Sequence, residues 1–234
     1  MANQFYKQIL RILAVAFLLS WQPARADNGW EWSITPYLWG SDIDFDAEVN
    51  ERQLGGSVAF SDLVDKLDMA LQLHIEGHST NAWGVFGDVT YISISDDSAL
   101  PSGAQLDTKA DVTIFELGGI YTATDGVDLE IGVRPPGITV SGDPGFTDGL
   151  LGVRFTGELS DRWDYLLRLD GSAGDSEGTL NAVAGFGYSF GNKGNKRFLF
   201  GYRHMQIETK REGNSDLQVE LTMSGPIAGF EFRF

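Results

Sequence analysis

Cysteine is absent from the 234-residue chain, which removes disulfides, thiolate nucleophiles and cysteine-ligated metal together. Positive charge is scarce: 17 Lys and Arg stand against 33 Asp and Glu, for a net charge of −16. A chain that acidic repels a phosphate backbone, so nucleic acid is excluded as a partner. Beyond residue 26 no apolar run is long enough for a membrane helix, so any crossing of a bilayer falls to strands. Histidine is limited to His74, His78 and His204, and no His-Glu-x-x-His occurs.

What is present begins with a leader. Residues 1–26 carry a basic start (Lys7, Arg11), an apolar run from Ile12 to Leu19, and Ala24-Arg25-Ala26. This is the pattern of a secretory signal peptide with cleavage expected after Ala26, its apolar part too short to span a bilayer. Cleavage removes three basic residues and no acid, so −16 becomes −19 over residues 27–234. No composition shift divides that stretch, and it is read as one domain.

The far end alternates with period two: Phe230, Phe232 and Phe234 on one side, Gly229, Glu231 and Arg233 on the other. A terminal aromatic in that pattern is the expected insertion signal of an outer-membrane barrel. Alternation elsewhere marks ten candidate strands, near residues 30–45, 68–79, 82–95, 108–123, 127–140, 148–159, 162–173, 178–190, 196–210 and 216–234. Their lengths suit tilted membrane strands, which need about 9–11 residues in hydrocarbon. The fifth sets Val127, Leu129, Ile131 and Val133 against Asp128, Glu130, Gly132 and Arg134, and the sixth sets Leu151, Val153, Phe155 and Leu159 against Gly152, Arg154, Thr156 and Glu158. Apolar outside and polar inside is the barrel rule.

The fold class is therefore all-β, an antiparallel transmembrane up-and-down barrel of about ten strands, with eight as the alternative. Two strands are less regular. Phe198, Phe200 and Tyr202 precede Met205 and Ile207 on the opposite parity, and Leu217 to Met223 precede Phe230 to Phe234 in the same way, which predicts a bulge in each. Short turns are expected at Ser79-Thr80-Asn81, Thr124-Asp125-Gly126, Ser160-Asp161 and Gly191 to Asn195, with longer loops at 46–67 and 96–107 on the opposite side. Short periplasmic turns and longer extracellular loops are the outer-membrane pattern. Closure would pair the first strand with the last, and Pro36 and Pro226 are expected side by side or at paired bulges in that seam.

The first strand, Trp30 to Trp39 with Pro36-Tyr37-Leu38-Trp39, the segment Phe60-Ser61-Asp62-Leu63 leading to Leu67-Asp68, Gly201-Tyr202-Arg203 and the tail from Leu221 through Gly225-Pro226 to Phe234 resemble a group of small Gram-negative outer-membrane β-barrel proteins. The resemblance covers most of the chain after the leader. It implies the barrel fold and the outer membrane, and no catalytic motif that maps residue by residue.

Site candidates follow from facing. Glu76, Asp88, Glu116, Glu130, Arg134, Arg154, Glu158, Arg168, Asp170, Arg203 and Glu220 are expected to converge in a narrow lumen. They would form either a structural ion-pair network or a polar path with an arginine constriction. A hydrolase reading needs a histidine with a Ser or Asp partner at the rim, and the strand positions of the three histidines argue against it. No enzyme activity, cofactor or metal is expected; Asp42-x-Asp44-x-Asp46 lacks the glycine and glutamate of a calcium loop. Residues 61–67 form a short helix in the first long loop, with Ser61 as cap, packed as a loop or as a plug. Trp30, Trp32, Trp83, Trp163 and Phe234 fall near one end of their strands as an interfacial girdle. Expected partners are outer-membrane lipid, lipopolysaccharide bridged to acidic loops by divalent ions, and the barrel-assembly machinery. The expected role is structural or porin-like, with a lipid- or peptide-directed hydrolase and a surface adhesin as alternatives; the oligomeric state stays open.

Overall fold

Period-two alternation, β-branched and aromatic residues, and turn signals every dozen positions leave the chain few options besides antiparallel strands. The computed structural model describes residues 29–49, 52–62, 67–99, 105–134, 136–139, 147–191, 194–211 and 217–234; the proposed leader lies outside them. It has thirteen strands: β1 (Trp30–Trp39), β2 (Asp42–Val49), β3 (Arg52–Val58), β4 (Leu67–Ser79), β5 (Trp83–Ala99), β6 (Gln105–Thr124), β7 (Val127–Arg134), β8 (Pro136–Thr139), β9 (Asp148–Glu158), β10 (Trp163–Gly174), β11 (Gly178–Phe190), β12 (Lys196–Arg211) and β13 (Leu217–Arg233). Ten close a barrel in the order β1-β4-β5-β6-β7-β9-β10-β11-β12-β13, with β13 returning to β1. β8 continues β7 along β6 in the same register, and β2 and β3 form a hairpin added to β13.

Closure leaves none of the ten barrel strands at a sheet edge, which is what a bilayer demands of a sheet. Trp32 donates to the Phe234 carbonyl at 3.0 Å and Phe234 donates to that of Trp32 at 2.9 Å. The seam departs from the expectation for its prolines. At the register Trp39↔Ile227, Pro36 stands opposite Phe230 and Pro226 opposite Gly40, four positions apart and without a bulge. Each proline interrupts the ladder where it lies, because it has no N–H to donate. Gly40 N–H reaches the Pro226 carbonyl at 2.9 Å, and a Cβ on Gly225 would fall 2.0 Å from the Gly40 carbonyl oxygen, so only glycine allows this approach.

The two bulges expected in the last strands do not occur either. β12 and β13 stay in register from Lys196↔Phe232 to Arg211↔Leu217. Phe200, Tyr202 and Phe230 face outward, whereas Met205, Ile207, Leu221 and Met223 face inward and are buried. The parity change is a change of what each face meets. From the row His204–Ser224–Asp42 upward, through Gln206–Thr222–Asp44 to Glu208–Glu220–Asp46, the outer face is polar and the inner face apolar. Below it the outer face carries Tyr202, Phe200 and Phe230, as lipid requires.

The long connections are also ordered differently from the expectation. Residues 46–49 and 52–58 belong to the paired strands β2 and β3, and 96–99 and 105–107 to the paired strands β5 and β6. Asp42, Asp44 and Asp46 therefore alternate along the outer face of β2. Residues 60–62 are helical, Leu67 already belongs to β4, and residues 63–66 lie outside the described residues. The Phe60 N–H donates to Asp42 Oδ1 of β2 at 2.8 Å; the cap expected from Ser61 would act on residues 63–64, outside the described residues. Short turns close the other end at 80–82, 125–126 and 159–162, with Gly126 at φ 76°. Rings band the outside near that end: Trp83 against Tyr121 at 4.9 Å, Trp163 against Tyr188 at 5.1 Å and Phe198 against Phe230 at 5.1 Å.

Candidate functional site in the barrel lumen

Side chains on the inward parity of adjacent strands meet across a narrow interior, and here most of those at mid-height are charged. Glu116 on β6 is fully buried and accepts from three arginines: Arg134 Nη2 at 2.9 Å, Arg168 Nη2 at 2.9 Å and Arg203 Nη2 at 3.3 Å. Arg134, also 0% exposed, bonds Asp170 as well, and its Nη1 reaches Ser172 Oγ at 3.3 Å. Arg168 Nε donates to Glu130 at 2.7 Å, and Asn181 links Asp170 (2.6 Å) to Arg203 Nε (2.9 Å). Tyr37 joins this tier, donating to Asp88 at 2.9 Å and accepting from Arg203 at 3.2 Å.

A second tier lies toward the short-turn end. Arg154 spans Glu76 at 2.6 Å and Asp128 at 2.8 Å, with Glu130 at 3.9 Å. His74 sits between Glu76 (3.1 Å) and Asp88 (3.2 Å), and His78 contacts Glu76. Lower still, Arg197 pairs with Asp164 and, at 3.1 Å, with Glu231. Glu76 is already held by both terminal nitrogens of Arg154, and no group of three His, Asp or Glu suited to a metal occurs among the described residues.

Beyond the mid-height tier the next inward residues are apolar: Trp39, Ile92, Ile114, Met205, Ile207, Leu221 and Met223 pack as one buried cluster. Arg203 lies over the Trp39 ring at 4.6 Å and joins the two layers. Ile114, Met205, Met223, Arg134 and Glu116 are each 0% exposed. A water-wide passage would leave some of this lining accessible, so the described interior is closed at this level. Toward the short-turn end it opens instead into a cavity of about 990 Å³.

Nine of the eleven lumen residues expected from the sequence are in these tiers. Glu158 faces inward but at the exposed mouth of the cavity, without an ion pair among the described residues. Glu220 is a correction: it lies on the outer parity of β13, opposite Glu208, and accepts from Gln206 at 2.8 Å. Its facing was inferred across a bulge that the strand does not have. Phe230, Phe232 and Phe234 are on the outer face, as the terminal alternation implies.

Tyr37, Asn181, His74, Asp128, Asp164, Arg197 and Glu231 also belong to the interior, although they were not among the lumen residues expected. Their strand parity was the available signal. Gly187-Tyr188-Ser189-Phe190-Gly191 also has the Gly-x-Ser-x-Gly spacing. It ends a strand, with no helix after it and no histidine bonded to Ser189 among the described residues, so the context of a nucleophile elbow is missing.

No family model matches the chain, and no curated protein matches it. Solved structures do. The similar structures are outer-membrane β-barrel proteins. Similar structures include the outer membrane protease OmpT from Escherichia coli (10% identity, TM-score 0.48, covering 92% of this chain and 100% of that one). The translocator domain of the autotransporter NalP from Neisseria meningitidis has 15% identity and a TM-score of 0.45, covering 100% and 97%. Ail, the attachment invasion locus protein of Yersinia pestis, has 13% identity and a TM-score of 0.35 in its complex with sucrose octasulfate, covering 88% and 99%.

Proposed function

We propose that this chain is an integral outer-membrane β-barrel with a lumen closed at mid-height, serving a structural role at the cell surface and presenting a blind cup to the periplasm. The observation that carries this reading is the pair of stacked layers across the lumen, Glu116 with its three arginines beneath Ile114, Met205 and Met223. Short turns face the periplasm and the β2–β3 hairpin, acidic on the outer face of β2, stands outside, where divalent ions bridge it to lipopolysaccharide. Phe230, Phe232 and Phe234 serve as the signal read by the assembly machinery. A porin-like role requires these layers to part. The test is fractionation of the expressed protein followed by liposome swelling with the refolded chain. Recovery with outer membranes and no swelling in small sugars is expected; a soluble periplasmic protein, or rapid swelling, contradicts the reading.

One observation favours a second reading. His204 Nδ1 lies 2.6 Å from Ser224 Oγ on the outer face, at the row where apolar gives way to polar, which is where a lipid-directed hydrolase would place a nucleophile and base. No carboxylate bonds the other ring nitrogen among the described residues, so the pair ranks behind the structural role. Labelling of wild type but not of Ser224→Ala by a fluorophosphonate would reverse that order.

A further inference from the structure

His74, Glu76 and His78 alternate along β4, so the period of a strand turns all three toward the lumen. In the β4–β5 ladder His74 stands opposite Asp88, and its two ring nitrogens meet two carboxylates: Nδ1 lies 3.2 Å from Asp88 Oδ2, and Nε2 lies 3.1 Å from Glu76 Oε2. An ionised carboxylate only accepts, and a neutral imidazole has a single N–H to give. Both bonds are made only when the ring carries two protons. The two acceptors belong to different tiers. Glu76 is held by Arg154, which also binds Asp128, whereas Asp88 takes the Tyr37 hydroxyl at 2.9 Å and lies 4.0 Å from Arg203, a partner of Glu116. Phe86 stacks on the His74 ring with centroids 6.3 Å apart, and Arg168, bound to Glu116 and Glu130, stands 5.3 Å from the same Phe86 centroid.

We infer that His74 is a proton-operated clasp between the two tiers, closed while the ring is charged and released when it is neutral. Arg154, Arg168 and Arg203 oppose that charge, but each is matched by carboxylates of its own, while Glu76 and Asp88 touch the ring directly. Losing the proton abolishes one contact outright and leaves the other without its ion-pair component. The proton comes from the cup. His74 keeps a quarter of its side chain exposed there, and the more exposed His78 contacts the same Glu76. The sign follows: as long as the two carboxylates are ionised, the stability contributed by the clasp is present while the ring is charged and is lost as rising pH neutralises it.

The inference rests on the closed-lumen reading, and its test separates the two. With three histidines in the chain, nitrogen-15 spectra of the protein refolded in detergent resolve each ring, and His78→Gln and His204→Gln assign them. As pH is raised from 6, the His74 ring is expected to keep both protons after those of His78 and His204 have lost one, and the urea midpoint to fall in step with its neutralisation. Asp88→Asn should bring that titration to lower pH, and His74→Gln should abolish the step in the midpoint. A His74 ring neutral before that of His78, one unmoved by Asp88→Asn, one that never gives up its proton in the folded barrel, a midpoint indifferent to it, or a step retained in His74→Gln overturns the clasp. Single-channel recording at pH 6 keeps the readings apart: conductance beside a doubly protonated ring defeats the closed lumen alone, and a silent chain whose ring fails these tests defeats the clasp alone.

Discussion

Glu116 holds the interior together because three guanidinium groups reach one buried carboxylate, and each of those arginines is shared with a further acceptor. Removing one partner from such a set leaves charge that water cannot reach. Arg134→Ala exposes Glu116 and Asp170 to that fate and should lower unfolding stability by roughly 3–5 kcal/mol in urea titrations of the refolded protein. Glu220→Gln provides the contrast. With Glu220 on the outer face, bonded to Gln206, the change should stay within about 0.5 kcal/mol. Comparable costs for both would mean that Glu220 is in the lumen after all. At this scale parity carried most of the information: Arg134, Arg154 and Asp170 are legible as inward from their neighbours alone. Tyr37 and Asn181 are not, because a neutral side chain on a polar face announces no partner until the opposite wall is known.

A strand that crosses from lipid to water must exchange its faces, and β12 and β13 do so without losing register. In the sequence the exchange looks like an inserted residue, since both a bulge and a change of surroundings shift the apolar parity by one. Only the pairing tells them apart. The acidic alternation of β2 is ambiguous in a related way: Asp42, Asp44 and Asp46 have the spacing that opens a calcium loop, although one face of a strand in water is polar too. The cysteine-free background makes a direct check possible. Single cysteines at residues 198–208 should react with lipid-dissolved maleimide at 198, 200 and 202, and with a water-soluble reagent at 204, 206 and 208. Positions 203, 205 and 207 should stay protected. Reaction at 205 and 207 with protection at 204 and 206 would restore the bulge.

The whole molecule is a closed ten-stranded ring whose outside is apolar over its lower part and whose inside is sealed at mid-height. Ring, turns and terminal strand were readable from the sequence because alternation and turn residues are local. The seal was not, since Ile92 and Ile114 on the paired strands β5 and β6 join Met205 on β12 only after closure brings their strands around one axis. The ion network and the apolar layer together make the central claim, that the barrel carries no continuous water path. Single-channel recording of the refolded wild-type chain in planar bilayers tests it most directly. The account predicts insertion without resolved conductance steps; stable, ion-sized steps from the intact protein would contradict it.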